Sequence, residues 1–197
     1  MFVWGLDPGQ DFGIAVADAE YIRNWRPRLL FGQQQEPRPG LLYCQTRRFD
    51  EPGEYYGLQL TRTAEALEEL WREYPPVMVA TEKCSGHWKS QAAMLSTVGS
   101  HSIVAAWCAK RQVRLRRFVR QQIKKLATGS GGSKIDKPAM LAAAHRAGFP
   151  CRTHNDADAA WALEYLLHQE WCRRNNQQLE APDVSKRKPR PRSRAAG

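Results

Sequence analysis

Three carboxylates in this chain stand where an ionised side chain is costly unless a cation meets it. The run Phe2-Val3-Trp4-Gly5-Leu6 ends in Asp7, turns at Pro8-Gly9 and restarts as Gly13-Ile14-Ala15-Val16-Ala17. That pattern predicts two short strands in a hairpin, with Asp7 closing the first. The run Val77-Met78-Val79-Ala80-Thr81 ends the same way, in Glu82. Asp158 falls in the first turn of the last predicted helix, with Asp156 and His154 just before it. Burying a carboxylate without a partner is unfavourable, and a metal ion is the most economical partner for several at once. Each residue taken alone has a plainer reading. Asp7 suits a turn, acids suit the first turn of a helix through its dipole, and His154 suits a helix-flanking surface position.

The chain that must bring these groups together has 197 residues, enough for one domain with a core and too few for two. Hydrophobic residues make up 42% and charged residues 25%, a globular balance. Thirty Lys and Arg against twenty Asp and Glu leave a formal charge of +10. Such an excess favours a polyanionic partner, because clustered cations release counterions from a phosphate backbone. Nucleic acid is the first candidate and an anionic membrane surface the second. Cys44, Cys84, Cys108, Cys151 and Cys172 are dispersed, with no C-x-x-C. That set predicts reduced, buried thiols in a cytoplasmic protein rather than disulfides or a zinc site. No run of about 18 apolar residues predicts a membrane span.

Several elements are predicted around the acids. Residues 21–40 hold Pro27, Pro37, Pro39 and four arginines, which predicts a long basic loop. Leu41 to Thr46 reads as a third strand. Apolar residues from about Tyr56 to Tyr74 recur every three or four positions, as in an amphipathic helix, and Pro75-Pro76 stops it. The strand ending at Glu82 follows, then a helix from about Lys89 to Lys110 and a fifth, half-exposed strand over Val113 to Val119. A Gly/Ser loop over 128–134 leads to a short helix from about Lys137 to Ala147. The last helix runs from near Asn155 or Asp156 to about Arg174. Residues 1–174 thus form the domain. Residues 175–197, ending Lys186-Arg187-Lys188-Pro189-Arg190-Pro191-Arg192, are too poor in apolar residues to fold and read as a disordered basic arm, for DNA or for solubility alone.

Together, Gly5-Leu6-Asp7-Pro8-Gly9 with Gly13-Ile14-Ala15, Ala80-Thr81-Glu82-Lys83, and Asp156-Ala157-Asp158-Ala159-Ala160-Trp161 resemble the motifs of RuvC-type Holliday junction resolvases. The segment Ile123-Lys124-Lys125-Leu126-Ala127-Thr128-Gly129, with Lys137 and Met140 beyond, resembles the phage and prophage branch of that group. The resemblance spans residues 2 to 168. It implies an α/β RNase H-like fold, a five-stranded mixed sheet flanked by helices with its first three strands antiparallel. It implies a homodimer that cuts a four-way DNA junction symmetrically, in the cytoplasm or in the host cytoplasm if phage-encoded. Hydrolysing a phosphodiester needs an activated water, neutralisation of charge at phosphorus and stabilisation of the leaving 3′ oxygen. Two Mg²⁺ ions about 4 Å apart, with Mn²⁺ able to substitute, meet all three needs. On this reading Asp7 bridges both ions, Glu82 holds one and Asp158 the other, with Asp156 a further candidate ligand.

The last motif departs from the family, many of whose members carry two acids three residues apart on the final helix. Asn155 stands three before Asp158 here, and His154, four before, is a candidate for water activation or leaving-group protonation. Candidate DNA contacts are Lys83, Trp88 and Lys89 after Glu82, Arg114, Arg116 and Arg117 on the fifth strand, and Lys124, Lys125 and Lys134 around the Gly/Ser loop. Trp88 can stack on an unpaired base or lie in the core; the arginines suit backbone phosphates. Two other readings share these residues: a nuclease of forks, flaps or RNA-DNA hybrids, and an inactive nucleic-acid-binding protein.

Overall fold

Residues 1–26, 40–49, 56–84, 90–132 and 135–175 are described by a computed structural model. They form β1 (Phe2–Asp7), β2 (Asp11–Ala17), α1 (Ala19–Asn24), β3 (Leu41–Arg48), α2 (Tyr56–Glu73), β4 (Pro76–Glu82), α3 (Gln91–Lys110), β5 (Arg114–Phe118), α4 (Arg120–Thr128), α5 (Lys137–Arg146) and α6 (His154–Arg174). The strands make one sheet in the order β3-β2-β1-β4-β5. β1, β2 and β3 are antiparallel, whereas β4 pairs with β1 and β5 with β4 in parallel. Parallel neighbours require a crossover, and α3 supplies the one between β4 and β5. This is the five-stranded mixed sheet that the family resemblance implies.

Strand residues alternate between two cores. Val3, Ala15, Ala17 and Ala80 join the core containing α5 and α6 residues, while Trp4, Leu6, Ile14, Val16 and Val79 join the one built on α2 and α3. The same period of two puts Asp7 on the α6 side with Val3, and Glu82 there with Ala80. Gly5 is paired with Ala80 and Leu6 with Thr81. One further step along that register sets Asp7 opposite Glu82.

The distance between sheet and α6 is set by two glycines. A Cβ on Gly5 would lie 2.1 Å from the Ala159 carbonyl oxygen, and one on Gly13 would lie 2.2 Å from that of Asn155. Bare backbone at these positions lets α6 lie directly on β1 and β2, and so carries Asp158 to the end of β1. Between Asn155 and Leu167 every residue is buried except Asp158, which opens onto the surface. The helix start is fixed by a capping box: Thr153 Oγ1 accepts from the Asp156 backbone N–H, and Asp156 returns a carboxylate to the Thr153 N–H.

Some elements differ from expectation. The basic loop of 21–40 begins with a helix, α1, whose N-cap Asp18 accepts from the Tyr21 N–H; residues 27–39 lie outside the described residues. α4, over residues to which the sequence pattern assigns no element, ends at Gly129 in the left-handed region, φ 81°. α6 starts at His154, slightly earlier than predicted, because Thr153 is its cap. The strand register also divides the β5 arginines. Arg114 and Arg116 pair with Met78 and Ala80, and so share the α6 face, whereas Arg117 points to the α3 face near His101.

All five cysteines are free. Cys108, Cys151 and Cys172 are buried, Cys44 is half-buried and Cys84 exposed. Cys44 and Cys151 bring their sulfurs to 3.2 Å. Among the described residues, α3 alone has the length and mean hydropathy to cross a membrane, which the absence of an unbroken apolar run did not foretell. Its polar residues are used within the fold: Gln59 of α2 donates to Ser100 and accepts from Ser96. Trp88 and the basic arm from residue 176 on lie outside the described residues.

Alanine ordinarily outperforms glycine inside a strand, yet Gly5→Ala is predicted to cost about 1–3 kcal/mol, the usual range for overpacking. Urea denaturation measures it, and an unchanged midpoint would mean that α6 is not seated on the Gly5 backbone.

Candidate active site

Asp7, Glu82 and Asp158 come from β1, β4 and α6 and meet at one end of the sheet. Glu82 and Asp158 line a cleft together with Arg120, Ile123 and Lys124 of α4 and with Asp136, Lys137 and Met140 at the start of α5. Asp7 lies behind them, its charge opposed by both acids. Arg120 and Lys137 are the first residues of α4 and α5, and Lys124 lies one turn along α4 on the same face as Arg120.

The carboxylates are desolvated and repel one another. Burial above all, then Asp158 and Glu82, hold Asp7 well above the usual carboxylate range. Burial and Glu82 push Asp158 from 3.8 up to about 6, against Arg120, Lys137 and Lys124. Glu82 is also raised by burial, which the hydrogen bond and charge of Arg120 oppose. Arg120 Nε meets Glu82 Oε1 at 2.6 Å, and the guanidinium feels the charges of Glu82, Asp7 and Asp158 in turn.

Nothing but carboxylate oxygen is offered by the three acids, the donor type hard divalent cations prefer. As they stand, no three Asp, Glu, His or Cys side chains among the described residues are gathered closely enough to hold a metal ion. Glu82 is instead turned to Arg120. The donor set therefore fits Mg²⁺ or Mn²⁺ in kind, with a guanidinium in contact with one of the ligands.

The other predicted residues are distributed as follows. Asp156 does not join the site. Its Oδ2 accepts from the Arg152 and Thr153 N–H groups at 2.8 and 3.0 Å, and its Oδ1 from Thr46 Oγ1. It is 1% exposed, so its carboxylate serves the start of α6. His154 is half-buried beside Lys137, Asp11 and Asp156; burial first, then Lys137, lower its pKa below 6.5. It does not line the cleft with Asp158. Lys124 donates to the Ile135 carbonyl. Lys83, Arg114, Arg116, Arg117 and Lys125 are exposed. Trp88, Lys89 and Lys134 lie outside the described residues.

The sequence reading missed Arg120 and assigned no role to Lys137. Their signals were positional. Arg120 stands four before Lys124 at the start of a helix, and Asp136-Lys137-Pro138 is an N-cap followed by the first turn of another.

No family model and no curated protein matches the chain. Solved structures do. RuvC from Thermus thermophilus superposes with a TM-score of 0.63 at 19% identity, over 87% of this chain and 96% of that one. T. thermophilus RuvC in complex with Holliday junction substrate gives 0.64 at 18% identity, over 89% and 96%. The yeast mitochondrial Holliday junction resolvase Ydc2 gives 0.55 at 13% identity, over 88% and 83%.

A raised carboxyl pKa means that the folded protein holds its proton more tightly than the unfolded chain. Stability from Asp158 is therefore fully present below pH 3.8 and is lost as pH rises through about 6. The metal-free protein is predicted to lose up to about 3 kcal/mol over that window, and Asp158→Asn to flatten the loss. Denaturation midpoints from pH 4 to 7 check this; a profile that rises through the window, or one unchanged by the substitution, would contradict it. In the order of its strands and the helices packed on them, the chain has the RNase H-like fold of the RuvC structures.

Proposed function

We propose that the protein is a divalent-metal-dependent endonuclease that resolves four-way DNA junctions, acting as a homodimer. The observation that carries this reading is the meeting of Asp7, Glu82 and Asp158 with Arg120, Lys124 and Lys137 at one cleft, on a resolvase-type fold. Acids without cations beside them would repel a phosphodiester. Here the cations can seat the phosphate while the carboxylates face its reactive side.

In this reading Asp7, Glu82 and Asp158 hold the metal, which when bound supplies a nucleophilic water and neutralises charge on the leaving oxygen. Lys124 and Lys137 draw the phosphate into the cleft and meet the negative charge that grows on its oxygens. In the same reading His154, four residues before Asp158 on α6, relays a proton to or from the cleft, which it does not itself line. Arg114 and Arg116 are exposed on the side of the sheet that carries the acids and extend the cationic surface along neighbouring phosphates. The likeness of residues 123–129 to the phage and prophage branch, the cytoplasmic setting and the basic arm's contact with DNA belong to the same proposal.

Dimer formation is supported by an apolar surface on α2 and α3, where Leu58, Leu95 and Val98 are 39–44% exposed. The T. thermophilus RuvC complex holds a Holliday junction, and two active sites related by symmetry would cut two strands of such a junction in opposed positions.

The test is a Mg²⁺ titration on an immobile four-way junction, with nicks mapped on every arm and forks, flaps, hybrids and linear duplex run in parallel. Paired nicks at symmetric positions are expected. Asp7→Asn, Glu82→Gln and Asp158→Asn should each lower cleavage by about 10²–10³-fold or more, as when a group meeting transition-state charge is lost, while junction binding persists. Preferred cutting of forks, flaps or hybrids would reassign the substrate, and tight binding with no nicking in Mg²⁺ or Mn²⁺ would make the protein a binder rather than an enzyme.

A further inference from the structure

The three cations of the cleft are not equivalent. Lys124 is anchored to the Ile135 carbonyl and Lys137 begins α5. Among the described residues, Arg120 alone makes a salt bridge to one of the three acids, at 2.6 Å. Its position is otherwise unfavourable. A guanidinium in the first turn of α4 meets the positive end of the helix dipole, and the N-cap Val119 offers no side chain to the free N–H groups. What favours Arg120 there is the charge across the cleft. The contact is also easily broken, because the Arg120 side chain is 57% exposed whereas that of Glu82 is 15% exposed.

Resting on the nuclease reading, we propose that Arg120 is a resident counter-ion that competes with the divalent metal for Glu82 and, once displaced, becomes a phosphate contact for bound DNA. Before metal arrives, the guanidinium limits repulsion among the acids and keeps the cleft in shape. When a divalent cation takes the Glu82 oxygens, the guanidinium is left beside a site of lower negative charge. Its planar donor fork then suits a phosphate oxygen pair better than an ammonium would. Arg120 thereby links two events: metal loading releases a DNA contact, and DNA that captures the released side chain opposes its return to Glu82.

The proposal is tested without cleavage. Mn²⁺ binding to the DNA-free protein is followed by the electron paramagnetic resonance signal of free Mn²⁺, for the wild type, Arg120→Gln, Arg120→Lys, Lys137→Gln and Asp7→Asn. Arg120→Gln is expected to tighten Mn²⁺ binding about 5-fold, the order of a partly exposed ion pair. Lys137→Gln removes the same charge without removing a salt bridge, so it should change binding less, and Arg120→Lys should stay near wild type. An unchanged affinity in Arg120→Gln, or an equal gain in Lys137→Gln, would overturn the proposal while leaving the nuclease reading intact. Asp7→Asn binding Mn²⁺ as well as wild type would remove the nuclease reading itself. The second arm is the salt dependence of junction binding. Arg120→Gln should lower the slope by about one relative to wild type in Ca²⁺ and leave it unchanged without metal. A loss of the same size in both conditions would show that Arg120 touches DNA regardless of metal, and would overturn the link.

Discussion

The structure is organised around electrostatic repulsion that its own fold creates. β1 and β4 run side by side and end in carboxylates on the same face, and α6 adds a third from above. Desolvation raises the proton affinity of all three. A site of this kind is stable only if its acids stay protonated or if cations share the space. Arg120, Lys124 and Lys137 supply positive charge from the protein itself. Divalent ions would supply more, at closer range.

Much of the remaining architecture exists to hold this meeting in place. Gly5 and Gly13 give up their side chains so that α6 can rest on the sheet backbone. The Thr153–Asp156 capping box, tied to β3 through Thr46, fixes where that helix starts. Shifting its start by one residue would rotate Asp158 by about 100° around the helix axis. Asp156 is thus a clear instance of an acid in a catalytic-looking motif whose work is structural, and its burial and two backbone donors establish that.

Asp7 and Glu82 were legible in the sequence because each ends an apolar run, and strand alternation makes the end of such a run a strong positional statement. The strands and helices were legible from apolar runs and periodicity, whereas the way they join into one mixed sheet came from the resemblance of the motifs around Asp7, Glu82 and Asp158, since spacing along the chain does not say which strands pair. Sequence placed Asp158 ahead of Asp156 as a ligand but gave no sign of what Asp156 does, because that depends on Thr153 capping α6 and on Thr46 of the distant β3. Arg120 was hidden inside a stretch rich in basic residues, where nothing local distinguishes a side chain facing an acid from one facing water. The split of Arg114 and Arg116 from Arg117 needed the register with β4. Each of these misses concerns a contact between segments distant in the chain, which one-dimensional spacing does not encode.

The central claim is that Asp7, Glu82 and Asp158 form one divalent-cation site. Its most direct test is a crystal soaked in Mn²⁺, with data collected to locate manganese by anomalous scattering. The account predicts anomalous peaks within bonding distance of Asp7, Glu82 and Asp158, with Arg120 moved off Glu82. Manganese bound elsewhere, or an unchanged Arg120–Glu82 pair and no peak at the three acids, would contradict it.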